Sequence, residues 1–153
     1  PENENIGRLT AQAENVMMVL NSLGVCYVPL NTLSMFGYPL MKTLAEMYYI
    51  VTGIEVGVDE LRLRGERAFN LYKMLNVREG FDRSDDRVPS VWLEPKEAVW
   101  GTVVLKTLYT KKVVDEQFME SIIDEYYRER GWDIEKGIPT PEKLKSLQLD
   151  FLL

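Results

Sequence analysis

The chain has 153 residues, 24 acidic against 18 basic side chains for a net charge of −6, no histidine and one cysteine. Without an imidazole there is no Ser-His-Asp or Cys-His nucleophile, and one cysteine supplies neither a zinc site nor an internal disulfide. The acidic balance argues against a nucleic-acid-binding face, no apolar run approaches the ~20 residues of a membrane span, and a lone thiol fits the reducing cytoplasm.

Apolar spacing predicts a first helix from Ile6 to Ser22, with Ile6, Leu9, Ala13, Val16, Met17 and Leu20 as its inward stripe and Gly24 as its stop. Pro29, Asn31, Ser34 and Gly37 break any period, so Tyr27–Tyr38 reads as irregular. A second helix is expected to open at Pro39 and close at Gly53, burying Leu40, Leu44, Met47, Tyr48 and Val51. A third starts near Asp59 and Glu60 and ends near Asn76, with Leu61, Ala68, Leu71, Tyr72 and Leu75 inward. Gly65 inside it costs about 1 kcal/mol against Ala, which predicts close approach by another backbone.

Gly80–Arg87 is charged and turn-like, and Val99–Val114 suits a short hairpin or an ordered surface loop. Asp115 caps a fourth helix that runs to Arg130 and stops at Gly131. Thr140-Pro141-Glu142 opens a last short helix ending near Leu149. The fold class is mainly α: one irregular domain over 1–153 with about five helices and a loop-rich stretch around 80–114. With Pro1 where an initiator Met would stand, the chain reads as a piece of a longer polypeptide.

Chemistry is sparse. The interleaved Glu66, Glu79, Asp82, Asp85, Asp86 and Arg64, Arg67, Arg78, Arg83, Arg87 read as an ion-pair network rather than acid–base machinery. Tyr48-Tyr49 and Tyr126-Tyr127 each offer one ring to the core and one to the edge, while Trp92, Trp100 and Trp132 are expected to anchor loops. At Asn21-Ser22-Leu23-Gly24-Val25-Cys26 a helix end brings backbone amides, an amide side chain and a thiol together. That turn suits a heterocyclic or anionic cofactor beside a metal centre, against the plainer reading of a capped helix end and a buried small hydrophobe.

The same six residues resemble the Asp-x-x-Gly-Leu-Cys element of tungsten-containing aldehyde ferredoxin oxidoreductases. Gly65-Glu66-Arg67-Ala68-Phe69-Asn70-Leu71 and Asn76-Val77-Arg78-Glu79-Gly80-Phe81 are similar to that family's Gly-Glu-Arg-x-x-Asn-Leu and Asn-x-Arg-Glu-Gly-Phe signatures. Asp85-Asp86, Val88-Pro89 and the tail from Tyr126-Tyr127 through Gly131-Trp132 to Thr140 follow in order, so the resemblance runs from about Ile6 to Leu149.

The resemblance implies the C-terminal helical domain of a larger oxidoreductase. The whole enzyme would bind a bis-pterin tungsten or molybdenum cofactor and a 4Fe–4S cluster, oxidise a small aldehyde to a carboxylic acid and pass electrons to ferredoxin. It assigns Cys26 as a cluster ligand and Asn21, Ser22, Leu23, Gly24 and Val25 as pterin contacts, with no catalytic residue in this chain. The other three cluster thiolates would come from upstream domains of the same polypeptide, so this piece alone is expected to be inactive and cofactor-free. Asn21 stands where the family has Asp and Val25 where it has Leu, so a hydrogen bond accepted at residue 21 lacks charge assistance. The rival expectation is a free-standing helical interaction module that kept the domain's shape and lost its chemistry.

Overall fold

The computed structural model describes residues 5–107 and 110–153. The fold is mainly α, with seven helices among the described residues and two small antiparallel ribbons. None of these helices is long and apolar enough to cross a membrane.

Helix α1 (Ile6–Leu23) is capped by the Asn5 side chain, which accepts from Arg8 N–H at 2.6 Å, and ends at Gly24 with φ 67°. Helix α2 (Tyr27–Met35) replaces the expected irregular stretch. Pro29 falls in its first turn, where no intrahelical N–H is required. Thr32 and Ser34 return their hydroxyls to the Val28 and Asn31 carbonyls, and Gly37 lies beyond the helix end. The breakers therefore sit where the helix can absorb them.

Helix α3 (Leu40–Thr52) begins one residue after Pro39 and stops at Gly53, φ 71°. Helix α4 (Val58–Arg78) carries Asp59 and Glu60 in its first turn, as expected, and runs two residues past Asn76. The 80–114 stretch holds a 3-10 turn (Arg83–Asp85), the short helix α5 (Ser90–Leu93) and a hairpin of β1 (Lys96–Ala98) with β2 (Gly101–Val103). Helix α6 (Glu116–Arg130) is capped by Asp115, which accepts from Phe118 N–H at 2.8 Å, and ends at Gly131. Strands β3 (Trp132–Asp133) and β4 (Ile138–Pro139) pair before helix α7 (Pro141–Ser146), with Thr140 as cap. The helices absent from the sequence reading are α2 and α5.

Helix α1 is the axis, packed on α4 along one side and α6 along another. A Cβ at Gly7 would come 2.6 Å from Tyr126 N on α6. One at Gly65 of α4 would strike the Asn15 carbonyl and stand 2.8 Å from Val19 Cγ2. The close approach expected at Gly65 is therefore an α4–α1 crossing. This clamp also rotates the buried face of α1: Gly7, Ala11, Val19 and Leu20 go inward, while Leu9 and Met17 are exposed. Small residues bury there because two backbones must approach.

The principal core joins Val19, Leu20, Leu30, Met41, Leu44 and Leu61 from the first four helices with Val56 from the α3–α4 connection. A smaller one gathers Leu144, Leu147 and Leu149 near the C-terminus. Three expected core residues of α4, Leu71, Tyr72 and Leu75, face outward, and Met47 and Val51 of α3 do likewise. Buried positions of α4 include Asn70 and Lys73 instead, because both find polar partners inside.

Candidate functional site

The α1–α2 turn places the sequence-predicted residues side by side. Leu23 and Val25 pack against the principal core and pin the turn. Their side chains are thus half-buried against that core. Gly24 N–H returns to the Asn21 carbonyl at 3.2 Å and Val25 N–H to the Leu20 carbonyl at 3.0 Å. Those two amides close the helix end, so the turn is not an open anion nest there. Ser22 Oγ donates to the Met18 carbonyl at 2.7 Å and keeps acceptor capacity. Asn21, Ser22, Gly24 and Cys26 are exposed, and nothing lies within 4 Å of where a Cβ of Gly24 would stand. The backbone is therefore open to a flat group at close range.

Cys26 is a free, exposed thiol. The plainer expectation of a buried small hydrophobe fails for it. Among the described residues no three His, Cys, Asp or Glu side chains converge as metal ligands. A single exposed thiol can offer at most one thiolate to a metal group.

Sequence reasoning missed the surface beside this turn. Helices α2 and α3 direct Leu30, Met41 and Leu44 inward yet leave Met35 81%, Ile50 78% and Val51 83% exposed, with Phe36 just past α2 at 76%. Val28, Tyr38, Tyr49 and Ile54 add to that apolar surface. So much exposed apolar surface on two adjoining helices exceeds the scattered apolar residues usual on a surface. Its signal was the weak amphipathicity of Tyr27–Met35, whose apolar residues occur all round the helix rather than on one side.

The charged region organises differently from the expected network. Arg83 reaches Glu120 and Asp124 on α6, Lys143 pairs with Glu66, and Lys73 pairs with Asp86 at 3.0 Å. Tyr127 donates to the same Asp86 Oδ2 at 2.6 Å, and the Lys73 ammonium lies 5.1 Å from the Trp132 ring centroid. Burial, then the Asp86 carboxylate, push the Tyr127 phenol well above its ordinary range, and burial does the same to Tyr126. Neither phenol serves as a base near neutrality. The expected split of each tyrosine pair holds: Tyr127 and Tyr48 turn inward, while Tyr126 is only half-buried and Tyr49 exposed. Trp132 anchors as expected, but Trp92 on α5 and Trp100 at the β1–β2 turn are exposed.

A family model described as "Aldehyde ferredoxin oxidoreductase, domains 2 & 3" matches residues 1–149. A similar fold occurs in the active site complex BamBC of benzoyl coenzyme A reductase with 1,5-dienoyl-CoA, at TM-score 0.55 and 23% identity over 73% of this chain. The chain spans 14% of the length of that relative.

Proposed function

Because the chain belongs to the aldehyde ferredoxin oxidoreductase family, and so is a domain of an oxidoreductase, we propose that it is the C-terminal helical part, as one domain over 1–153, of a cytoplasmic tungsten or molybdenum bis-pterin enzyme. The chemistry the cofactors supply when bound is oxidation of a small aldehyde to a carboxylic acid, with water as oxygen source and electrons leaving through a 4Fe–4S cluster to ferredoxin. The observation that carries this reading is the exposed Cys26 thiol directly after the open Gly24 turn.

In this reading Cys26 ligates one iron as a thiolate, and upstream segments of the same polypeptide supply the other ligands. Asn21 offers an amide oxygen to a pterin amino group and Ser22 a hydroxyl oxygen, while Leu23 and Val25 hold the turn rigid from the core side. Gly24 contributes absence of bulk. The apolar α2–α3 surface is what the upstream domains cover, which keeps water from the cluster. One thiolate cannot retain a cluster, so the 153-residue piece alone turns nothing over. Asn21 in place of an acid favours the second reading, a non-catalytic module derived from the same domain.

Anaerobic purification of the full-length protein tests the choice. Metal analysis is expected to find tungsten or molybdenum with four irons per chain, and aldehydes are expected to reduce a viologen dye. Protein free of both metals and inert towards aldehydes, after expression with tungstate and molybdate supplied, would establish the module instead.

A further inference from the structure

A second feature lies apart from the α1–α2 turn and takes no part in the cofactor reading. Helices α1, α4 and α6, with described residues of 105–107 and 110–114, line an open groove of roughly 1260 Å3. Its apolar walls include Ile6, Phe69, Tyr72, Phe118 and Ile122, a lining typical of small-molecule sites. Two of its acids are paired with cations. Glu14 meets Arg130 and Tyr126, Asp86 meets Lys73 and Tyr127, and Glu125 faces the Gly7 amide. Two further lysines, Lys106 and Lys112, line the groove, and among the described residues no carboxylate lies within 4 Å of either ammonium. Against these two lysines stands, among the described residues, one carboxylate without a cationic partner, Glu125, so the groove's free charge is positive on balance in a chain of net charge −6.

We propose that the groove binds an amphipathic organic anion, an aromatic or long-chain body carrying a carboxylate or sulfonate, with the body on the α4 and α6 walls and the head toward Lys106 and Lys112. Apolar burial supplies the affinity, and the lysines select anionic over neutral ligands of one shape.

The probes are 1-anilinonaphthalene-8-sulfonate and its neutral counterpart N-phenyl-1-naphthylamine, titrated by fluorescence into the full-length protein. Both dyes are expected to bind, the sulfonate about tenfold tighter. Lys106→Glu with Lys112→Glu should erase that tenfold preference and leave the neutral dye within about twofold. Thr10→Trp, at an exposed position on the groove wall, should abolish both. Ile122→Trp should do the same from the α6 side, with circular dichroism checking each fold. Several results would overturn the proposal: binding that survives both tryptophan variants, equal affinities for the two dyes, or binding lost only in Val51→Asp on the α2–α3 surface. No binding to the full-length protein would also overturn it, because the groove would then be filled by upstream polypeptide.

Discussion

Arg130 sets its guanidinium carbon 3.9 Å from the centroid of the Phe69 ring, joining the end of α6 to the middle of α4. The same fork donates to Glu14 at 2.5 Å, to Asn15 at 2.6 Å and to the Ala11 carbonyl at 3.1 Å, all on α1. One buried cation thus ties three helices, and its planar donors and π-face are both used. Arg130→Lys keeps the charge but not the fork, and is expected to cost about 3 kcal/mol, near the loss seen when a buried pair is broken. Urea unfolding of the variant beside the parent checks it, with the midpoint falling and the slope unchanged.

Gly65 should tolerate no side chain. Gly65→Ala drives a methyl into the Asn15 carbonyl and Val19, and α1 and α4 must separate. An overpacking loss of about 1–3 kcal/mol is expected, against the gain of about 1 kcal/mol that helix propensity alone would give. The sign of the change in thermal midpoint decides between them.

Trp132 donates its indole N–H to Asn70 Oδ1 at 2.8 Å, and both residues are buried. Trp132→Phe removes that donor and leaves the Asn70 oxygen unpaired. The loss is expected to reach about 3 kcal/mol, from the unpaired group and lost packing together. Asn70→Leu with Trp132→Phe should recover part of it, which a double-mutant cycle measures.

Two ends of the pH scale should expose different parts of the fold. The Asp82 carboxylate accepts from the Ser84 amide at 2.7 Å, and bonding to Ser84 holds its pKa below the usual range. A depressed folded pKa means the cap's contribution is present above the ordinary aspartate pKa and is lost as pH falls through the folded value. Tyr126 and Tyr127 are raised, so their contribution is intact below the ordinary phenol pKa and erodes as pH climbs above it. Carboxyl NMR titration of Asp82 and ultraviolet titration of tyrosine ionisation read the two limbs separately. Tyr127→Phe should reduce the alkaline loss.

What the sequence made legible follows from which features are local. Caps and stops such as Asp115, Thr140, Gly24 and Gly131 act through their own backbone, and each falls where its residue type predicts. The inward faces of α1 and α4 are less legible, because burial there depends on which helix arrives. Gly7 and Ala11 are buried by the approach of α6, and Lys73 by the chance to meet Asp86 and Trp132. Helix α2 was hidden by Pro29 and Gly37, whose harm depends on a register that becomes visible only once the helix starts at Tyr27. Within the candidate site, Cys26 stood out as the lone thiol. The packing of Leu23 and Val25 on the core, and the bonding of the Gly24 and Val25 amides at the helix end, depend on tertiary contacts that no local pattern specifies.

Iron content bears most directly on the central claim, that Cys26 holds one iron of a cluster shared with upstream segments. Full-length protein carrying Cys26→Ser, purified anaerobically beside the parent, would be assayed for iron per chain and for the spectrum of the reduced cluster. The account predicts loss of iron from four per chain toward none, or a cluster with altered resonance where serine oxygen replaces the thiolate. Unchanged iron and an unchanged spectrum would contradict it.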